Sequence, residues 1–195
     1  MLIKEELLMN YGAKIVNFTK GKYVFKENDD VISYFQISTG TVKIVSEKKA
    51  GREFIHNISI QGDCLGALFL FLKHPYSVSA IAMENSRIIK LEKLGFDLML
   101  KDNPKILLDL YKYTAENMHY TYLMKGFASE SPSEKIMNLF NYLKKSKPPT
   151  DSYQVFLTRQ QIASLTGLRV ETVIRTIKKL QNLGILLVIN RKIFY

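Results

Sequence analysis

Near Leu94 the spacing of apolar residues in this chain changes, and that change limits the folds open to it. Before it, short apolar runs recur about every ten residues, separated by turn-forming clusters. The runs fall at 22–25, 33–37, 41–45, 53–60, 76–82 and 87–91. Glu27-Asn28-Asp29-Asp30, Thr39-Gly40 and Gln61-Gly62-Asp63 are among the breaks. After it, apolar residues step by three and four, the repeat of a helix. Many short strands with regular turns predict a barrel or jelly roll, that is, a double-stranded β-helix. Alternation is clear at 41–45 and along Phe54, His56, Ile58 and Ile60, so those four are expected to share a buried face. With 195 residues the chain can bury two small cores, and the class expected is α+β.

Between Pro104 and Gly126 there is no Gly or Pro. Within that stretch Leu107, Leu110, Thr114, Asn117, Thr121 and Met124 form a seam of heptad type. Such a helix packs either on its own barrel or against a second copy. Polar Thr114, Asn117 and Thr121 suit the second, because polar seam positions weaken association while fixing register and partner number. A small-residue break at 129–133 reads as a hinge, with Pro132 at a first helical position. Ile136, Leu139, Phe140 and Leu143 then share one face of a helix at 134–145, which Lys147-Pro148-Pro149 ends. The expected domains are a barrel over 1–95, a long dimerisation helix within 96–128, and a third domain over 129–195.

The third domain is the most informative. Thr158 and Gln161 make a capping box that opens a short helix. Thr166-Gly167 is a tight turn, with glycine supplying the positive φ such a bend needs. A second helix follows at 171–183, burying Val173, Ile177 and Leu180. Two short helices about a Gly-containing turn are a helix-turn-helix. Strands at 185–189 and 192–195 about Asn190-Arg191 add a wing.

Charge agrees with this. The formal net charge is +10, and residues 131–195 carry 11 Lys+Arg against 3 Asp+Glu, while 1–130 carry 17 against 15. A basic end is the electrostatic footprint of a nucleic-acid module, or simply a solvated basic surface. Glu171 and Arg175 project together from the second helix, one turn apart. They form either a surface ion pair or a base-reading pair, in which Arg donates to guanine O6 and N7 and Glu accepts from cytosine N4. A carboxylate facing phosphates makes sense chiefly as base readout.

Other classes are poorly served. No apolar run approaches the roughly 18 residues of a membrane span. The first ten residues lack the apolar core and cleavage site of a secretory signal, so a cytoplasmic location is expected. One cysteine, Cys64, excludes a disulfide framework, a Cys-based zinc site and a four-thiolate iron–sulfur cluster. His56, His74 and His119 fall in unrelated segments, and no nucleophile–His–acid pattern is visible, so no enzymatic activity and no metal site are expected. Cys64 reads as a buried core thiol, with a redox switch as the alternative.

Residues 157–186, LTRQQIASLTGLRVETVIRTIKKLQNLGIL, resemble the winged helix-turn-helix of the Crp/Fnr regulators, whose core motif reads T-R-x-x-[IL]-A…G…[RV]-E-T-[VI]-x-R. The likeness extends over nearly the whole chain, through Gly51-Arg52-Glu53 and Gly62-Asp63-Cys64-Leu65-Gly66 in the barrel. It implies a homodimeric transcription regulator bound to a palindromic site in double-stranded DNA, with a TGA block in each half-site and RNA polymerase as a further partner. It implies that Arg175 reads a guanine and Glu171 the cytosine of a neighbouring or shared pair. Thr158 and Arg159 would hold phosphate, with Thr172, Lys178 and Lys179 at or near it. Arg169 stands at the usual Ser/Thr cap position and would contact phosphate instead. Val170 matches the fumarate–nitrate branch, where cyclic-AMP receptors have Arg.

The barrel departs from that family's cyclic-nucleotide cassette. Gly66-Ala67 and Tyr76-Ser77 stand where a Glu for the ribose and an Arg for the phosphate are usual. Burying a cyclic phosphate without a cation costs several kcal/mol, so cyclic AMP is not expected as a ligand. The family pocket would be lined by neutral Ala67, Tyr76, Ser77, Tyr120 and Met124. Two possibilities stay open there: a small uncharged effector, or binding governed by protein abundance alone. The functional alternative is a basic protein binding DNA or RNA without sequence preference.

Overall fold

A computed structural model describes residues 1–48, 52–72, 74–126, 130–145 and 153–195, with side chains described at all of these but 47, 48, 52, 120, 123–126 and 145. Gly51, Ser129 and Lys147-Pro148-Pro149 lie outside the described residues, as do the side chains of Tyr120 and Met124. Two compact units divide the chain, Met1–Met118 and His119–Tyr195.

The first unit opens with α1 (Glu5–Asn10), then β1 (Lys14–Phe18), β2 (Tyr23–Phe25), β3 (Ser33–Thr39), β4 (Val42–Lys48) and β5 (Arg52–Ser59). β6 (Cys64–Leu65), a 3-10 turn at Ala67–Phe71, β7 (Ser79–Ala82), β8 (Ser86–Glu92) and α2 (Lys93–Asp102) follow, then α3 (Lys105–Gly126), which runs past the unit's end. The strands form two four-stranded sheets, ordered β1-β8-β3-β6 and β2-β7-β4-β5. Every pairing is antiparallel. The architecture is a jelly roll of two facing sheets, not one closed barrel.

β3 is buried on both faces, and that explains the layers. Phe35 and Ile37 meet Phe25, Val42, Tyr76 and Ile88 between the sheets. Tyr34 turns the other way, onto Leu8, Phe96, Met99, Ile106 and Leu110 of the helices. Gln36 is fully buried on that side, and both its amide oxygen and its amide nitrogen are hydrogen-bonded. Its amide accepts from Ile3 N at 3.0 Å and the Tyr34 hydroxyl at 2.8 Å, and donates to Ile3 O at 2.7 Å. The N-terminal segment is thereby stitched to the sheet.

Two expectations are corrected here. Along β5 the buried residues are Ile55 and Ser59, whereas Phe54 and Ile58 are half-buried and His56 and Ile60 exposed. The cause is a bulge: Ile44 pairs with Asn57 but Val45 with Ile55, which leaves His56 as the extra residue. One inserted residue switches the face of all that follow, so period-two alternation read through it misassigns the burial. On α3 the seam divides. Leu110 is only 4% exposed and Asn117 is half-buried, and both face their own sheets, together with Ile106 and Tyr113. Asn117 Oδ1 accepts from Asn57 Nδ2 at 3.5 Å, and the Tyr113 hydroxyl donates to Cys64 O at 3.3 Å. Leu107, Thr114 and Thr121 are exposed.

The second unit contains α4 (Pro132–Lys145), β9 (Gln154–Val155), α5 (Arg159–Thr166), α6 (Val170–Asn182), β10 (Leu187–Ile189) and β11 (Lys192–Phe194). Ile136, Leu139 and Phe140 of α4 pack with Ile162, Val173, Ile177, Leu180, Leu186 and Ile193. Pro132 opens α4 as expected, behind a second capping box: Ser131 N donates to Glu134 Oε2 at 2.8 Å, and Glu134 N to Ser131 Oγ at 3.4 Å. Hydrogen bonding to the carboxylate from Ser131, by its side chain first and its backbone N–H second, holds the Glu134 carboxyl below its ordinary pKa. β9, which sequence periodicity did not reveal, makes the wing a three-stranded sheet, ordered β10-β11-β9. No helix among the described residues is long and apolar enough to cross a membrane.

Candidate nucleic-acid interface

Local chemistry fixes the reading head. Thr158 Oγ1 accepts from Gln161 N at 3.2 Å, and Thr158 N donates to Gln161 Oε1 at 2.7 Å, closing the box that starts α5. Gly167 ends α5 at φ +69°, a conformation glycine adopts without strain. The chain then enters α6 through Arg169, which has extended backbone and makes no side-chain cap bond. Its guanidinium is a donor group and cannot accept from the first N–H groups of the helix. Val170 packs partly against the core of this unit.

α6 buries Val173, Thr176, Ile177 and Leu180. Its outward row is Glu171, Ile174, Arg175, Lys178 and Lys179, all exposed, with Thr172 half-buried at the margin. Glu171 and Arg175 are not joined to each other. The ion pairs among the described residues are Lys43–Glu53, Lys90–Glu92 and Lys93–Asp97, all in the first unit. Both groups therefore present unspent hydrogen-bonding capacity outward, from a helix of the right diameter for the major groove.

The wing turn is set by Asn190 at φ +49° and Arg191 at φ +65°, the pair of left-handed residues that a two-residue type I′ hairpin requires. Arg159, at the start of α5, donates from Nη1 to the Arg191 carbonyl. That bond ties the helix-turn-helix to the wing, whose Arg191 and Lys192 are both exposed. Neither wing residue was singled out from the sequence, although the Asn190-Arg191 turn and its basic character were visible there.

Of the residues expected to line an effector pocket, Ala67, Tyr76 and Ser77 have described side chains, and these three lie in different surroundings. Tyr76 is 2% exposed and belongs to the core between the sheets. Its ring stacks on Phe25 at 3.8 Å and meets Phe69 edge-on at 5.3 Å, and its hydroxyl donates to Ser33 O at 3.4 Å. Gly66 leaves room for it: a Cβ there would lie 2.8 Å from Tyr76 Cε1 and 3.0 Å from Phe25 Cζ. Ala67 is buried in the other core, under the helices, and Ser77 is exposed. An arginine side chain at position 76 would have to leave this aromatic stack to meet an anion.

Residues 15–103 match a family model described as a cyclic nucleotide-binding domain, and residues 134–194 match a Crp-like helix-turn-helix domain. Over 90% of its length the chain is 27% identical to the nitrogen fixation regulation protein FixK of Bradyrhizobium diazoefficiens, covering 75% of that protein. Over 86% it is 23% identical to the transcriptional activator protein Anr of Pseudomonas aeruginosa, covering 70% of it. The fold matches the solved structure of FixK2 from Bradyrhizobium japonicum with a TM-score of 0.80 at 18% identity, covering 93% of this chain and 91% of that one.

Proposed function

We propose, from the premise that this chain belongs to the Crp/Fnr family of transcription regulators, that it binds a palindromic DNA site as a homodimer and reads bases with Glu171 and Arg175. The observation that carries this reading is the outward row of α6, where an unpaired carboxylate stands among cations on a capped helix-turn-helix. A non-specific polyanion binder gains nothing from Glu171. Thr158, Thr172, Arg169, Lys178 and Lys179, joined by Arg191 and Lys192 of the wing, contribute phosphate contacts that position the head without specifying sequence. Arg159 serves chiefly by holding the wing turn. Half-sites about one helical turn apart would meet both recognition helices of a two-fold dimer. The protein acts in the cytoplasm, with RNA polymerase as the further partner of a DNA-bound regulator.

Cyclic AMP does not fit as the effector. The position where an arginine would meet its phosphate holds Tyr76, stacked in an apolar core, and the position of the ribose carboxylate holds buried Ala67. Regulation runs through a different ligand or through abundance, and no iron–sulfur cluster is held by a lone buried cysteine.

Selection of sites from a random duplex pool tests base reading. Wild type should enrich a palindrome with a guanine and a cytosine in each half. Arg175→Ala should lose roughly 1–3 kcal/mol and relax the guanine. Glu171→Ala should relax the cytosine while holding or raising affinity for random DNA. Identical enrichment by wild type and Glu171→Ala, with uniform weakening in Arg175→Ala, would show a surface pair and no base reading.

A further inference from the structure

Positions 171, 174, 175 and 178 fall at i, i+3, i+4 and i+7 on α6, the spacing of one helix face, and it is the face opposite Val173, Ile177 and Leu180. Three of the four are charged, and the fourth is Ile174. Its side chain is 54% exposed and takes no part in the core of its unit. The other exposed residues of the helix, Lys179, Gln181 and Asn182, are polar. Isoleucine is not there for helix formation either, since a β-branched residue is a poorer helix former than Arg, Lys or Gln. An apolar side chain thus stands in the middle of the row that faces the bases, between the two groups assigned to read them.

The major-groove edges of the base pairs carry hydrogen-bond donors and acceptors, and one apolar group, the C5 methyl of thymine. A branched aliphatic side chain can exclude water from that methyl, and it has no donor or acceptor to offer the other bases. We propose that Ile174 is a specificity-determining residue that selects a thymine by contact with its methyl group. The thymine belongs to a pair adjoining those read by Glu171 and Arg175, because Ile174 lies between them on the face. This inference rests on α6 being the base-reading helix and adds a base to what that helix reads.

The test uses the full chain and the duplex that wild type selects. Each thymine in turn is replaced by deoxyuridine, which removes the methyl and nothing else, and binding is followed by fluorescence anisotropy. At one thymine per half-site, wild type should weaken about fourfold per methyl removed, the scale of one buried methyl group. Ile174→Ala should bind thymine and uracil duplexes alike at that position, and Ile174→Val should keep most of the discrimination. Because the side chain is exposed, both variants should keep the wild-type melting temperature, which rules out misfolding as the cause. Indifference of wild type to every uracil substitution would overturn the proposal, as would an unchanged uracil penalty in Ile174→Ala. A parallel duplex with 7-deazaguanine at the guanine assigned to Arg175 separates the two readings. Sensitivity to the lost N7 without sensitivity to any lost methyl overturns the role of Ile174 alone, whereas indifference to both overturns base reading by α6 altogether.

Discussion

Cys64 shows how one residue's environment settles its chemistry. Its thiol is buried beneath α3, beside Tyr34 and Tyr113. Burial pushes its pKa up to about 12, and the neighbouring carboxylate of Asp63 adds to the shift. A thiol is a nucleophile only as thiolate, so this one is inert near neutrality. Folded protein at pH 8 should leave it unlabelled by Ellman's reagent over hours, with one equivalent reacting on denaturation; rapid labelling of the native state would contradict this. Linkage has a definite sign here. The folded pKa is raised, so the contribution to stability is full below the unfolded value of 9.0 and is lost as pH rises through about 12. Free cysteine is among the most buried residue types, and that made the burial of Cys64 legible in the sequence. The fate of Tyr76 was not, because nothing local says that its ring stacks on Phe25, some fifty residues earlier.

At the scale of elements, α3 carries two apolar stripes, and the seam read from spacing shares Leu110 and Asn117 with the first and no residue with the second. Ile106, Leu110, Tyr113 and Asn117 follow the sheets of their own unit. Leu108, Tyr111, Ala115, Met118 and Tyr122 keep a three-four spacing on another face, with Leu108 70% and Tyr111 71% exposed. An exposed heptad stripe is what a second copy's helix would cover. Tyr111→Lys with Met118→Lys should therefore give a monomer by light scattering with an almost unchanged melting temperature, and should weaken DNA binding because one head alone makes too few contacts. Leu110→Lys should do something else: it unfolds the first unit, since even truncation of a buried leucine costs about 2–5 kcal/mol. Dimerisation that survives the double substitution would place the contact elsewhere. Periodicity showed that α3 has apolar rows, but which row met the sheets depended on partners distant in the chain, Asn57 and Cys64 among them.

For the molecule as a whole, the two units hold separate cores, and on the reading proposed above Ala67 and Tyr76 stand where a nucleotide site would need charged side chains. Calorimetry should detect no binding of cyclic AMP at micromolar concentrations, and the affinity for the selected duplex should not change on adding it. Micromolar or tighter binding would overturn this assignment. Restoring the lost pair by Tyr76→Arg with Ala67→Glu should destabilise the first unit and not create a nucleotide site, because both positions are core.

By itself the sequence determined the α+β class, the strand-rich first half, the capped helix-turn-helix and the wing turn, because caps, Gly and Asn turn residues and hydrophobic period act within a few residues of themselves. Thr158, Gln161, Gly167 and Asn190 do in the structure what their chemistry requires. Tertiary structure decided the rest: the slip at His56 that turns β5 over, the division of α3 into two faces, the bond from Arg159 to the wing, and the stacking of Tyr76 on Phe25. Each depends on a partner distant in the chain. Local propensity and spacing carry no information about which distant surface a side chain will meet, and burial is fixed only when that surface arrives.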